Sequence, residues 1–247
     1  VSPSSRPFVG RIAEIGRAIA ALDRAREGRG GLLRVIGEPG IGKTRLADEL
    51  SGAAAERDVR VAWGRCWEAG AAPPFWPWTQ IVRSLGLESG LSVLTGASPP
   101  TGTAQSPSPS EAEQARFQLF AAVESALGRA ASATPCLIVL DDLHAADVPS
   151  LMLLRFVARG LRASRLLVLA AHREIEARVR AEVGEHLSKL SREGETIALQ
   201  RLGEDDVAEW LRSVGRPTNA ARRLHEATEG NPLFVQEVLE VFRDDET

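Results

Sequence analysis

The stretch that most constrains this chain is residues 37–44, Gly37-Glu38-Pro39-Gly40-Ile41-Gly42-Lys43-Thr44. Its spacing, G-x-x-x-x-G-K-[ST], is that of a loop that wraps phosphates, and it carries meaning only between a strand and a helix. Both are predicted: Leu32 to Ile36 is a short apolar strand, and Arg45 to Leu50 opens a helix. A polyphosphate is held by backbone N–H groups converging on one hollow, so the chain must pass closely and without bulk. Gly37, Gly40 and Gly42 meet that need. A helix starting near Lys43 adds free N–H donors and a positive dipole end. Lys43 is placed to reach the β- and γ-phosphates, and the Thr44 hydroxyl to ligate Mg²⁺. Lysine occurs only at 43 and 189 in a chain that otherwise uses arginine. A guanidinium fork is too broad to replace a compact ammonium in such a loop.

The elements around this loop alternate. A helix is expected from Ile12 to Arg26, with Ile12, Ile15, Ile19 and Leu22 as its apolar stripe. The loop helix runs to about Arg57, and a strand follows over Val59–Trp63. Residues 71–78 are too proline-rich to be regular, and their aromatics are expected to pack rather than bind; a helix is expected over Thr79–Leu85. Residues 95–110 are Ser/Pro/Thr-rich and read as a low-complexity insertion. Ser110 with Glu113 has capping-box spacing for a helix to about Ala131. Cys136–Leu140 and Leu166–Ala171 are continuous apolar runs, as in strands covered on both faces. A charged helix spans Glu174 to Ser191, and Thr196–Leu199 is the last strand. Strands alternating with helices point to a parallel sheet. From Gly203 the pattern is all-helical. Residues 1–202 are therefore expected to form an α/β domain and 203–247 a small helical lid.

Further residues complete the chemistry. The run Cys136–Leu140 ends in Asp141-Asp142, the carboxylates at a strand tip that a Mg²⁺–phosphate site requires. Asp141 is expected to hold the ion and Asp142 to orient or polarise an attacking water; away from such a loop, two acids after a strand are an ordinary solvated turn. His172 and Arg173 end another strand, where an open α/β sheet exposes its site. Arg173 is suited to touch a γ-phosphate and stabilise developing charge; otherwise it pairs with Glu174 or Glu176. His144 faces the water or simply fills its loop, and Asp147 fits an N-cap.

Bulk properties narrow the partners. A formal net charge of −3 does not mark a general nucleic-acid or membrane-surface binder. The cysteines, Cys66 and Cys136, have neither metal spacing nor a disulfide framework, and a reducing, cytoplasmic setting fits them. No apolar run is long enough to span a bilayer. The chain opens at Val1 and closes on Asp244-Asp245-Glu246-Thr247, so an excerpt of a longer protein is expected.

Taken together, the motifs resemble the STAND class of P-loop ATPases and, more narrowly, the ATPase module of large ATP-binding LuxR-type transcriptional regulators. Phe8-Val9-Gly10-Arg11 resembles the "hVGR" entry, and Gly37 to Thr44 the Walker A motif. Gly64-Arg65-Cys66-Trp67-Glu68 is similar to a segment of this subgroup. Leu140-Asp141-Asp142-Leu143-His144-Ala145-Ala146-Asp147 resembles its Walker B form, with Ala145 where Trp is usual. Gly230-Asn231-Pro232-Leu233-Phe234 resembles its lid motif.

The resemblance implies an ASCE-type P-loop NTPase sheet of order 5-1-4-3-2, a Mg²⁺-dependent slow ATPase, and an ADP-closed, ATP-open switch. Nucleotide contacts are implied for Val9, Gly10 and Arg11, for Glu38, Pro39, Gly40, Ile41, Gly42, Lys43, Thr44 and Arg45, and for Pro232. Thr44 and Asp141 are the implied metal ligands, and Lys43, Asp142 and Arg173 the catalytic residues. Partners are then other domains of a longer chain and, in the ATP state, further copies, with neither DNA nor membrane touched by these residues. Three other functions stay open: an assembly module without useful hydrolysis, a small-molecule kinase using Arg212, Arg216, Arg222 and Arg223, and a motor ATPase.

Overall fold

The computed structural model describes residues 7–67, 72–87, Leu94 and 108–244. Strands β1 (Gly31–Ile36), β2 (Arg60–Arg65), β3 (Cys136–Asp141), β4 (Leu166–His172) and β5 (Glu195–Ala198) form one five-stranded sheet in the order β2-β3-β4-β1-β5. Every pairing is parallel. This is the order expected, read from the other edge. The fourth strand lies between the phosphate-loop strand and the strand that ends in the acid pair.

The helices are α1 (Ile12–Arg26), α2 (Lys43–Ala55), α3 (Trp76–Ser84), α4 (Pro109–Ala133), α5 (Val148–Gly160), α6 (Glu174–Val179), α7 (Ala181–Leu190), α8 (Glu204–Ser213), α9 (Ala221–Thr228) and α10 (Pro232–Asp244). Strands β3 and β4 are buried at every position because helices cover both faces. Ile138, Leu140 and Val168 face one core with α3, α4 and α5, while Leu137, Val139 and Leu169 face a second with α1 and α2. A third cluster joins Val9, Leu202, Val207, Trp210, Leu211, Leu224, Val235 and Leu239. The entry segment thus packs on the helices that follow β5. No helix among the described residues is long and apolar enough to cross a membrane.

Several local expectations are corrected. Of the expected stripe, Leu22 is buried and Ile15 and Ile19 pack against the same core, but Ile12 is 84% exposed, and α1 also buries Ala18, Ala21 and Ala25. The alanines let the helix approach the sheet closely beside Leu22, and a search for large apolar residues passes over them. The proline-rich run is partly regular: α3 begins at Trp76, with Pro77 in the first turn, where a missing N–H costs nothing. Trp78 is fully buried and its Nε1 donates to the Ser150 carbonyl at 3.0 Å, so this aromatic packs, as expected.

The capping box is Ser108–Glu111, two residues before the expected pair. Both pairs have the S-x-x-E spacing, and Pro109 at the first helical position favours the earlier one. The single helix expected over 174–191 breaks at Arg180, whose backbone is extended (φ −97°, ψ 90°). The Arg180 guanidinium donates to the carbonyls of His144 and Ala146 at 3.1 and 3.0 Å, tying the break to the turn after β3. Residues 95–107 of the low-complexity stretch, and residues 1–6, lie outside the described residues.

Candidate functional site

The carboxyl ends of β1, β3 and β4 meet at one edge of the sheet, where parallel α/β folds place their sites. The β1 exit is the glycine loop, and α2 starts at its end. Gly42, at the N-cap, has φ +102°; no side chain caps α2, and no acid lies in its first turn. By contrast, Ser108 and Asp147 cap α4 and α5. The first N–H groups of α2 therefore keep the positive end of the helix dipole for an anion. Lys43 is 6% exposed, and its Nζ donates to the carbonyls of Gly37 and Glu38 at 3.0 and 2.8 Å. Burial pushes its ammonium pKa down, as does Arg173, while Asp142 and Asp141 oppose the shift. The cation is held by the loop itself and faces two carboxylates.

Asp141 ends β3 and is 2% exposed. One carboxylate oxygen accepts from the Thr44 hydroxyl at 2.9 Å and the other from the Asp142 N–H at 3.0 Å. Burial, then the neighbouring Asp142, pushes its carboxyl above the usual range. A cation beside it would relieve both effects. No group of three or more His, Cys, Asp or Glu among the described residues could cage a metal alone. Mg²⁺ needs no such cage, because it keeps waters and takes phosphate oxygens beside one or two protein donors. Thr44 and Asp141 are hard oxygen donors in that number, so they fit Mg²⁺, and the bound ion would neutralise charge on the phosphates. Asp142 sits in the left-handed region (φ 56°, ψ 39°) with its carboxylate 3.9 Å from the buried His144 ring. That conformation turns the side chain out of the strand line and into the cleft.

The cleft has a volume of about 410 Å³, in the range of small-ligand sites. Lys43, Arg11, Arg45 and Arg173 line it against Asp48 and Asp142, which suits an anionic ligand. Of the residues expected to bind, Val9, Arg11, Gly40, Ile41, Gly42, Lys43, Thr44, Arg45, Asp142, Arg173 and Pro232 line this space. Arg173 also lies 3.6 Å from Glu176, so it pairs with an acid, as one reading expected, while lining the cleft. Gly10, Glu38, Pro39 and Asp141 are not on its wall. His172, expected at an exposed edge, is instead 1% exposed. Arg212, Arg216, Arg222 and Arg223, the arginines a kinase would use, are absent from the wall, and Arg222 pairs with Glu226 at 3.0 Å.

Contacts that motif reading passed over close the far side. Asn231, 5% exposed, donates from Nδ2 to the Pro39 carbonyl at 3.1 Å and accepts from the Leu233 N–H at 3.1 Å. Gly40 (φ +74°) faces this contact: a Cβ there would lie 2.7 Å from Leu233 and 2.8 Å from Asn231. Arg201 pairs with Glu38 at 2.9 Å and also with Glu229. The Arg11 guanidinium donates to the carbonyls of Ile41 and Gln200, and burial lowers its pKa. Pro7, Phe8, Leu202, Trp210, Leu233 and Gln236 add the remaining wall. The Gly-Asn-Pro-Leu-Phe motif marked the place of Asn231, but nothing in the sequence marked Arg201.

Behind the site lies a buried polar pair. Arg34 of β1 donates to Thr196 Oγ1 at 3.1 Å and approaches His172 Nε2 at 3.5 Å. A guanidinium only donates, so Nε2 accepts and the ring proton sits on Nδ1. Burial, then Arg34, His144 and Lys43, lower the His172 pKa from 6.5 to about 3. The unfolded chain takes up a proton below pH 6.5 that the folded state refuses until about pH 3. The stabilisation is complete above pH 6.5 and is lost as pH falls towards 3. His172→Gln is therefore expected to make the stability–pH curve shallower in that window. Denaturant unfolding from pH 3 to 7 checks this, and an unchanged slope contradicts it.

A family model described as the AAA ATPase domain matches residues 7–169. No curated protein matches the chain. Among solved structures, a Walker-type ATPase of Pyrococcus abyssi is 14% identical with a TM-score of 0.54, covering 95% of this chain and 68% of that one. A signal transduction ATPase with numerous domains (STAND) carrying a tetratricopeptide repeat sensor, from Pyrococcus horikoshii, is 19% identical with a TM-score of 0.55, covering 94% and 30%. The Orc1 protein of Aeropyrum pernix, solved in complex with DNA, is 17% identical with a TM-score of 0.55, covering 95% and 59%. At these identities the likeness is one of fold. The chain spans less than two thirds of the second and third proteins.

Proposed function

Because the chain belongs to the AAA ATPase domain family, we propose that it is a nucleotide-operated switch: the slow, Mg²⁺-dependent ATPase module of a multidomain, LuxR-type bacterial transcriptional regulator. The observation that carries this reading is the shared cleft. Its phosphate end is built by the loop after β1, and its other wall by α8 and α10, the latter tied to the loop at its start by the Asn231 bond to Pro39. A nucleotide filling it touches both parts, so a γ-phosphate can alter the contact between them. A switch needs such a difference in affinity between two states.

Residue roles follow from position. Lys43 and the first N–H groups of α2 bind and orient the phosphates. Thr44 and Asp141 hold the ion. Asp142 orients the attacking water, and Arg173 offsets charge that develops on the γ-phosphate. The ordered entry, Walker A, Walker B and lid motifs support the narrower regulator reading, as does the fold likeness to a STAND protein with a repeat sensor. Sensor and DNA contacts then belong to other domains of a cytoplasmic parent chain, and the ATP state to self-association. The kinase reading loses its main support, since the arginines it relies on are off the cleft wall.

Pro232 starts α10 on that wall and is the nearest test of coupling. Pro232→Ala is expected to leave the fold intact and to reduce the preference for ADP over ATP about threefold to tenfold. Calorimetric titration with both nucleotides checks it. Equal shifts in the two affinities would remove the coupling role.

A further inference from the structure

The cleft wall away from the phosphate loop is apolar, formed by Phe8, Val9, Leu202 and Trp210. Gln236 interrupts it, and among the described residues it is the one carboxamide lining the cleft. It is half-buried and follows Pro232 by one turn of α10, so both share a face. Its Nε2 donates to Glu240 Oε1 at 2.6 Å. A carboxylate only accepts, so this bond fixes which end of the amide is which. The carbonyl oxygen Oε1 is the end left to act as an acceptor. Arg11 is engaged elsewhere: its Nη2 donates to the carbonyls of Ile41 and Gln200, and its Nη1 pairs with Glu14 at 3.5 Å.

We propose that Gln236 reads the base: its carboxamide oxygen accepts from the exocyclic amine of a 6-aminopurine, and this contact sets a preference over 6-oxopurine nucleotides. The inference rests on the nucleotide-binding reading above. Stacking on Phe8 or Trp210 is open to any base, since every base has a π-face. Discrimination needs a polar group that one base satisfies and the other leaves unpaired. A 6-oxopurine sets a carbonyl against the Gln236 carbonyl, acceptor facing acceptor.

The test compares ATP with ITP, which carries oxygen in place of the amine, by direct titration of the whole chain. The wild-type protein is expected to bind ATP about tenfold more tightly than ITP. Gln236→Leu is expected to weaken ATP, spare ITP and bring the ratio within about twofold. Gln236→Arg, which can only donate, is expected to favour ITP. The proposal is overturned if wild type does not discriminate, or if Gln236→Leu keeps the wild-type ratio. The second result is the one expected if Asp48, another acceptor on the wall, reads the amine, or if Gln236 only pairs with Glu240. If neither nucleotide binds, the nucleotide reading fails together with this one.

Discussion

Lys43→Ala is expected to lower the affinity for ATP and ADP about 100-fold to 1,000-fold. The lysine is buried in the loop, so its ammonium loses little freedom on meeting phosphate, and each charge-assisted bond contributes about 1.5–3 kcal/mol. Its present partners are the Gly37 and Glu38 carbonyls. Removing it leaves those acceptors without their donor, so part of the loss is loop order rather than direct contact. Lys43→Arg is expected to rescue poorly, because a planar fork cannot occupy the space of a compact ammonium. Calorimetric titration of both variants measures the effect. Unchanged binding in Lys43→Ala would remove the phosphate-loop assignment.

Asp142→Asn is expected to abolish turnover, by about 100-fold or more, while nucleotide affinity changes by less than about threefold. The substitution is unusually clean. Asp142 holds φ 56°, and asparagine tolerates the left-handed region as well as aspartate does. The Asp142 N–H bond to Asp141 belongs to the backbone and survives. Only the carboxylate that faces the cleft is lost, and with it the group proposed to orient an attacking water. Phosphate release, measured beside binding, separates the readings. Binding without phosphate release in either protein would favour an assembly module in which hydrolysis has no part, and measurable turnover left unchanged by the substitution would remove the role given to Asp142.

The fold was legible where burial dictates composition. β3 and β4 are buried at every position, and a strand covered on both faces has little choice but a continuous apolar run. Helix ends were less legible because competing signals share one pattern: Ser110 with Glu113 has the same spacing as the pair that caps α4. Arg180 breaks a helix for two carbonyls 34 and 36 residues away, which no local window contains. The same limit applies to the site. Phosphate chemistry needs a contiguous loop, and its eight residues announce it. The contacts that close its far side join residues 163 and 192 positions apart, Arg201 to Glu38 and Asn231 to Pro39. Folding alone brings these together. Arg34 is a related case: within an apolar strand it looks like an interruption, yet its bond to Thr196 and approach to His172 make it part of the core behind the site.

The most direct measurement is the nucleotide content and turnover of the purified chain. Bound ligand is extracted and identified, and phosphate release is then followed with Mg²⁺ and ATP. A nucleotide-operated switch predicts retained ADP, close to one per chain, and slow release of phosphate that depends on Mg²⁺. An empty site that takes up neither ADP nor ATP, and releases no phosphate, would contradict the account at its centre.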